Sequence, residues 1–119
     1  MHELALAAAI VGIAEEHAGG RRVTRVDVRV GALRQVVPDA LIFAFEFVAA
    51  ETAAEGAELV IERVPARGDC RACGARSELA GFPLRCGSCG ALDLEIVSGE
   101  EFCVESLDVS DPAVLEETR

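Results

Sequence analysis

The chain has 119 residues, with 21 acidic against 11 basic side chains and a formal net charge of −10 at pH 7. This acidic balance argues against nucleic-acid binding, because contacts with phosphates need clustered Lys and Arg. The length allows one or two small domains. Apolar residues make up 51% of the chain and aromatic residues only 4%, so the core must be built mainly from Val, Leu, Ala and five Phe.

The first predicted element is a helix over about residues 3–18. Leu6, Ile10 and Ile13 recur at helical spacing, alanines favour helix, and Gly19 with Gly20 ends the pattern. The apolar run is too short to span a bilayer, and no basic segment precedes it as in a signal peptide. We therefore expect a cytoplasmic protein without a membrane segment.

The two histidines of the chain lie at the ends of this helix. His17 continues the apolar stripe near the C-terminal end, where the helix dipole favours an imidazole, and we expect a packed or capping role rather than a ligand role. His2 lies four residues before Leu6, so an early helix start would direct its ring toward the protein body. From spacing alone, a frayed N-terminus without function is the favoured interpretation of His2.

Three strands and a second helix follow. Alternating apolar and polar residues predict strands over Arg22–Val30, Ala57–Val64 and Glu101–Val109. A second helix is predicted from Asp39 to about Ala50, with Pro38 at a permitted first-turn position. Its nearly continuous apolar sequence predicts that it is covered on most sides. The chain from Pro112 onward is expected to be a frayed acidic tail.

Some residues in these elements bear on possible sites. Asp39, Phe43 and Glu46 share one face of the second helix, where acids are most often a helix-start residue and a solvated charge. Cys103 lies in the third strand without a partner at Cys-x-x-Cys spacing. We predict that Cys103 is a small buried apolar group and not a metal ligand.

The strongest motif is a pair of Cys-x-x-Cys-Gly units separated by twelve residues, formed by Cys70, Cys73, Cys86 and Cys89. Four thiolates in two close pairs suit a tetrahedral metal such as Zn²⁺. The glycines that follow, Gly74 and Gly90, suit a left-handed backbone at the end of each turn. Two disulfides, or thiols that are simply buried, are the alternatives, but paired Cys-x-x-Cys turns rarely mean disulfides in a chain without an export signal. A rubredoxin-type iron site in the same thiolates also stays open.

The motifs present do not favour an enzyme. A closed four-thiolate site has no open coordination position with which to activate water or bind substrate. The sequence contains no GxxxxGK[ST] phosphate-binding loop, and two histidines give little basis for a catalytic triad. We therefore predict a protein that is not an enzyme.

The order of elements predicts an α+β fold: a small three-stranded sheet packed with two helices, and an inserted zinc-ribbon-like domain built on the four paired cysteines. The second and third strands flank the insert, so both ends of the chain should form one body. We predict a domain of residues 1–66 plus 100–119 and a zinc-binding domain of residues 67–99. The second of these is poor in large apolar residues and should fold only with its metal bound.

The N-terminus is a second place where a metal could bind. A free α-amine, the backbone amides that follow it and an early imidazole can form fused chelate rings. Nitrogen-rich donors of this kind suit Ni²⁺ or Cu²⁺ in square-planar or tetragonal geometry. Because His2 is large, we expect Met1 to be retained, with its amine available as a donor.

Several segments together resemble one family. Met1-His2-Glu3 before an apolar helix, PDALIFAFEFV at residues 38–48, EGAELVIE at residues 55–62 and the two Cys-x-x-Cys pairs occur in the order seen in the HypA/HybF family. Members of this family are nickel metallochaperones of [NiFe]-hydrogenase maturation. The resemblance covers nearly the whole chain and implies a nickel-binding α/β domain with a structural zinc domain.

The resemblance also implies the site residues and the partners. The nickel donors would be the Met1 amine, the His2 imidazole and backbone amide, and the Glu3 backbone amide, with the Glu3 and Asp39 side chains supporting or completing the site. The zinc ligands would be Cys70, Cys73, Cys86 and Cys89. Ni²⁺ would be transient and Zn²⁺ structural. The GTPase HypB and the hydrogenase large-subunit precursor would be the partners of a monomer or homodimer, and urease maturation is left open as a second client.

A rival hypothesis is a zinc-ribbon module for protein or nucleic-acid interaction, without a nickel role. Arg67, Arg71, Arg76 and Arg85 lie near the cysteine pairs and give it some support. Against a net charge of −10, this small cluster is better interpreted as a docking surface for an acidic protein.

Overall fold

A computed structural model of the chain describes residues 2–110. Its helices and strands are α1 (Glu3–Ala18), β1 (Arg22–Gly31), α2 (Pro38–Ala49), β2 (Glu58–Val64), β3 (Arg67–Cys70), β4 (Arg76–Glu78), β5 (Leu94–Ser98) and β6 (Phe102–Ser110), with a short 3-10 helix at Ala32–Arg34. One sheet has the strand order β2-β1-β6 and the other β4-β3-β5. The predicted α+β class is confirmed, with two helices and small sheets. Met1 and the tail predicted from Pro112 onward lie outside the described residues.

The chain divides into two compact units. Unit 1 comprises Met1–Val28, Val36–Glu62 and Cys103–Arg119, and unit 2 comprises Arg29–Gln35 and Arg63–Phe102. The domain boundaries expected from the sequence, after residues 66 and 99, stay a prediction. Between residues 2 and 110, no helix is both long enough and apolar enough to cross a membrane.

Helix α1 packs against α2 through a face rich in alanine. The buried residues of α1 recur every three or four positions and are Glu3, Ala7, Ile10, Val11, Ala14 and Ala18. Small side chains on this face let the two helix backbones approach closely. The buried stripe therefore differs from the predicted one, because Leu6 and Ile13 are only half-buried.

Both histidines of α1 are exposed. His17 is not packed in the core, and its Nδ1 atom lies 3.0 Å from the carbonyl oxygen of Ile13, one turn earlier. His2 is the N-cap residue of α1, and its carbonyl oxygen accepts the first helical hydrogen bond, from Leu6 N–H. His2 thus belongs to an ordered helix start and not to a frayed N-terminus.

Helix α2 buries one side only, so the prediction that it is covered on most sides is wrong. Leu41 and Phe45 are fully buried, whereas Phe43 and Phe47 are 73% and 72% exposed. Two residues along a helix correspond to a rotation of about 200°. Phe43 and Phe47 therefore project away from the core that Leu41 and Phe45 enter.

Strand β6 lies beside β1 in the sheet of unit 1. Thr24 Oγ1 donates to the carbonyl of Asp108, and Ser106 Oγ donates to Asp27 Oδ2. The paired residue numbers run in opposite directions, so these strands are antiparallel. Cys103 is exposed, which contradicts its predicted burial: the two-residue alternation of a strand places it on the same side as exposed Glu105.

Unit 2 contains a sheet that the sequence did not predict. Its central strand β3 pairs antiparallel with β4, where Arg67 faces Glu78, and with β5, where Cys70 faces Leu94. These strands are only three to five residues long. Such short segments with few large apolar residues show no clear alternation, so their strand character depends on pairing within unit 2.

Candidate metal sites

The four cysteines of the two Cys-x-x-Cys units come together in unit 2. Their Sγ atoms all lie within 4.8 Å of one another. The sulfurs of Cys70 and Cys89 are 3.6 Å apart, and those of Cys73 and Cys86 are 3.7 Å apart. A tetrahedral zinc site with bonds of about 2.3 Å has sulfur–sulfur edges of about 3.8 Å. The cluster therefore has the size and donor set that one tetrahedral metal ion requires.

Two equivalent turns position these sulfurs. The N–H of Gly74 donates to the carbonyl of Cys70, and the N–H of Gly90 donates to that of Cys86, at 2.8 and 3.0 Å. Both glycines have the predicted left-handed backbone, with φ of 78° and 77°. A side chain is strained in this region of φ, so glycine suits the end of each turn.

Backbone N–H groups point at the sulfur of the first cysteine in each turn. Cys73 N–H donates to Cys70 Sγ at 3.3 Å, and the N–H groups of Ser88 and Cys89 donate to Cys86 Sγ at 3.3 and 3.4 Å. Hydrogen bonds of this kind favour the thiolate, which is the form that binds metal. The N–H of Cys89, followed by that of Ser88, lowers the pKa of Cys86 to about 6.

The second cysteine of each turn behaves differently. Cys73 and Cys89 are exposed, whereas Cys70 and Cys86 are buried. The N–H of Ala75 lowers the pKa of Cys73, but the neighbouring sulfurs, Cys86 first, outweigh it and raise this pKa to about 12. A bound cation reverses the effect of neighbouring thiolates, because it lets all four ligands ionise together. The cluster is therefore built for a metal ion rather than for four free thiols.

The arginines near this cluster are engaged within unit 2. Arg76 Nε lies 2.6 Å from Asp69 Oδ1, and Arg71 Nη1 lies 3.0 Å from Asp93 Oδ1. Arg67 lies 3.8 Å from Glu78, and Arg85 donates to the carbonyl of Gly90. Three of the four cations are thus paired with carboxylates, which weakens the case for a basic docking surface here.

The second candidate site is the start of α1. Glu3 is only 7% exposed, and its Oε2 atom accepts a hydrogen bond from the backbone N–H of Val37 at 3.1 Å. The positively charged amino terminus is the largest cause, and the Val37 N–H the second, of a Glu3 pKa lowered to about 2. Glu3 is therefore ionised at neutral pH and joins the start of α1 to the residue that precedes α2.

The backbone amides at this helix start suit metal binding. The first residues of a helix have no intrahelical acceptor for their N–H groups, and the helical bond from Leu6 uses only the carbonyl of His2. The amide of His2 can therefore serve a metal without breaking the helix, whereas the N–H of Glu3 also interacts with the Glu3 carboxylate. The exposed His2 side chain adds an imidazole at the same place.

The family resemblance also implies Asp39 and Met1 for this site. Asp39 is exposed in the first turn of α2, two residues after Val37, whose N–H binds Glu3. Met1 lies outside the described residues. Val37 was not singled out from the sequence, and no local pattern could have found it, because it acts through a backbone N–H group 34 residues from its acceptor.

Comparisons with known proteins identify a family. The family model described as "Hydrogenase/urease nickel incorporation, metallochaperone, hypA" matches residues 1–109. The hydrogenase maturation factor HypA of Geobacter metallireducens is 48% identical over 109 residues, covering 92% of this chain and 99% of the relative. HypA 2 of Bradyrhizobium diazoefficiens is 44% identical over 112 residues, with the same coverage.

Solved structures show the same fold. A solution structure of a HypA protein matches with a TM-score of 0.66 at 23% identity, covering 92% of this chain and 97% of that one. The nickel metallochaperone HypA of Helicobacter pylori matches with a TM-score of 0.65 at 24% identity and the same coverage. From the family match and these close relatives, the chain belongs to the HypA family of hydrogenase maturation metallochaperones.

Proposed function

We propose that the chain binds Ni²⁺ at its N-terminus and delivers it to the [NiFe]-hydrogenase large-subunit precursor. The observation that carries the proposal is the buried Glu3 carboxylate, which is held by the N–H of Val37. This bond fixes the first turn of α1, next to the exposed His2 imidazole, which supports the start of the helix as the place where nickel binds. Membership of a nickel-incorporation family supports nickel as the cargo.

The donors at this place suit Ni²⁺ chemically. The Met1 amine, the His2 amide and imidazole and the Glu3 amide supply four nitrogens, a set that favours square-planar or tetragonal Ni²⁺. The Glu3 and Asp39 carboxylates support the site electrostatically. Nickel is here a substrate that is loaded and released, and a site at an exposed chain end leaves the ion accessible to a receiving protein.

The cysteine cluster has a different role in this proposal. Cys70, Cys73, Cys86 and Cys89 would hold Zn²⁺, whose four positions they fill, so the ion supplies folding free energy and no catalytic position. The chain is accordingly a metal carrier and not an enzyme. We place it in the cytoplasm, where it acts with the GTPase HypB, and urease maturation proteins are a second possible client.

The nickel assignment is tested by replacing His2 and, separately, by extending the N-terminus. His2→Gln removes the proposed imidazole ligand but keeps a large residue after Met1, so that Met1 is retained, and a chain extended by two residues before Met1 removes the terminal amine from the chelate. We expect each change to weaken Ni²⁺ binding at least about tenfold, the lower end of what altering a metal site usually costs. His17→Gln is the matched control, because His17 is the other histidine and is also exposed on α1.

Affinity is measured by competition against a chelator of known nickel affinity, and bound metal is counted after equal exposure to Ni²⁺ and Zn²⁺. All variants should retain zinc at the cysteine cluster. Wild-type nickel affinity in both the His2→Gln protein and the extended chain would refute the N-terminal site.

The rival function, a zinc-ribbon module without nickel, makes opposite predictions. It requires a basic surface in unit 2, yet Arg67, Arg71 and Arg76 are paired with carboxylates there. Tight, salt-sensitive DNA binding together with unchanged nickel affinity on loss of His2 would favour it.

A further inference from the structure

Helix α2 presents two exposed phenylalanines that the proposed nickel site does not use. Phe43 and Phe47 lie one helical turn apart on the same side of α2, and we call this pair the aromatic face. The chain has only five Phe, and these two are 73% and 72% exposed. Single exposed apolar residues are common, but two adjacent aromatic side chains on one helix face are typical of a binding surface.

The charged residues that border the aromatic face along this part of the chain are all acidic. Asp39 lies one turn before Phe43, Glu46 lies one turn after it, and Glu51 follows the end of the helix. All three are exposed, and among residues 2–110 none of them forms an ion pair with a basic side chain. Residues 35–62 contain six acidic residues and no Lys or Arg. A partner of complementary charge must therefore border its apolar contact with basic side chains.

The aromatic face leads to the proposed nickel site along the helix. With a rise of about 1.5 Å per residue, Phe43 lies about 9 Å and Phe47 about 15 Å along α2 from Val37. Val37 itself is exposed and donates to Glu3, and Leu4 beside Glu3 is exposed as well. Val37 and Leu4 thus add exposed apolar side chains near the helix start where nickel would bind.

We propose that the aromatic face is where the nickel-receiving protein docks, and that this partner presents an apolar groove bordered by Lys or Arg. The inference rests on the proposed function, since it names the surface that brings the receiver to the nickel site. Burying two Phe side chains covers about 300–500 Å². This is less than the roughly 800 Å² per partner of a stable interface, as suits a contact that must release after transfer.

A second copy of this chain is a poorer occupant. In a two-fold dimer the same surface meets itself, so Asp39, Glu46 and Glu51 of both copies would be brought together. Like charges at an interface oppose association. The net charge of −10 adds to this repulsion.

The test measures binding of the purified hydrogenase large-subunit precursor to the full chain by calorimetry, at low and at high salt. Replacing both residues of the aromatic face, Phe43→Ser with Phe47→Ser, should weaken binding at least about tenfold, because exposed aromatic anchors carry much of an interface's free energy. Phe82→Ser is the matched control, since Phe82 is also an exposed phenylalanine, in unit 2. Far-UV circular dichroism should show the same fold in each variant.

The acidic border is tested separately, which keeps the proposal falsifiable if the double variant misfolds. Glu46→Lys should weaken binding and reduce its salt dependence, whereas Glu16→Lys, at an exposed acid of α1, should leave both unchanged. Absence of wild-type binding, or equal affinity in the wild type and the double variant, would overturn the proposal. So would light scattering that shows a wild-type dimer converted to monomer by the double variant.

Nickel affinity is measured in the same proteins and separates the two hypotheses. The double variant should bind Ni²⁺ as the wild type does, because neither Phe is a ligand. Loss of docking with normal nickel binding supports the aromatic face. If the wild type docks but binds no nickel at His2, the proposed function fails while the docking surface stands. Equal docking of the wild type and the double variant, with normal nickel binding, refutes the surface alone.

Discussion

At the residue scale, Glu3 shows how one side chain acquires its role from distant sequence. From the sequence it is an acid in the first turn of a helix, where the dipole favours a carboxylate. In the structure it is buried and accepts the N–H of Val37, 34 residues later. Its carboxylate therefore joins the start of α1, where we propose that nickel binds, to the start of α2.

This role predicts graded effects of two substitutions at Glu3. Glu3→Ala removes both the charge and the acceptor, and we expect nickel affinity to fall about 10–100-fold, as for other groups that position metal ligands. Glu3→Gln keeps an oxygen that can accept from the Val37 N–H but loses the charge, so its nickel affinity should lie between those of the wild type and Glu3→Ala. Chelator competition measures the affinities, and Glu16→Gln on the exposed side of α1 is the control. Wild-type affinity in Glu3→Ala would show that the carboxylate does not support the site.

At the element scale, the end of β1 depends on a close approach between two backbones in unit 2. A side-chain carbon at Gly31 would overlap the carbonyl group of Gly99 and lie 2.6 Å from the backbone nitrogen of Glu100. Gly31 N–H also donates to the carbonyl of Glu101, at 2.7 Å. Because backbone rather than a flexible side chain occupies this space, neither segment can give way cheaply.

Gly31→Ala should therefore lower the free energy of unfolding by about 1–3 kcal/mol, the usual cost of overpacking. Gly68→Ala is the control within unit 2, because its nearest neighbours would lie 3.4 Å away, at ordinary contact distance. The chain contains no Trp or Tyr, so urea unfolding is best followed by far-UV circular dichroism. Equal midpoints for the two variants would contradict the close approach.

At the scale of the whole molecule, the two units are stabilised differently. The six largest fully buried side chains all belong to unit 1: Phe45, Ile10, Leu41, Val23, Val26 and Val28. Among the described residues, unit 2 buries fewer apolar side chains, namely Val30, Val64, Ala66, Leu79, Cys70 and Cys86. We therefore expect unit 2 to need a metal ion in order to fold.

Removing the metal should therefore unfold unit 2 selectively. In reducing buffer with a chelator, amide hydrogens of β3, β4 and β5 should exchange rapidly, whereas those of α1 and α2 keep most of their protection. Exchange is measured by mass spectrometry of peptides. Cys103→Ser should change nothing, because Cys103 is exposed in unit 1. Equal loss of protection in both units would show that they fold as one.

The sequence by itself determined the features that depend on neighbouring residues. Helical spacing predicted α1 at its observed bounds, alternation predicted β1, β2 and β6 to within one residue at each end, and two Cys-x-x-Cys units predicted a four-sulfur cluster. Local periodicity and turn chemistry act within a few residues, so they can be seen in a single sequence.

Only the tertiary structure decided which surfaces are covered. It exposed Phe43, Phe47 and Cys103, buried Glu3, and joined Glu3 to the N–H of Val37. An apolar helix has the same sequence whether one side or every side is packed, and a backbone donor has no residue type to mark it. Burial and long-range hydrogen bonds depend on elements far apart in the chain, and their outcome appears only when those elements meet.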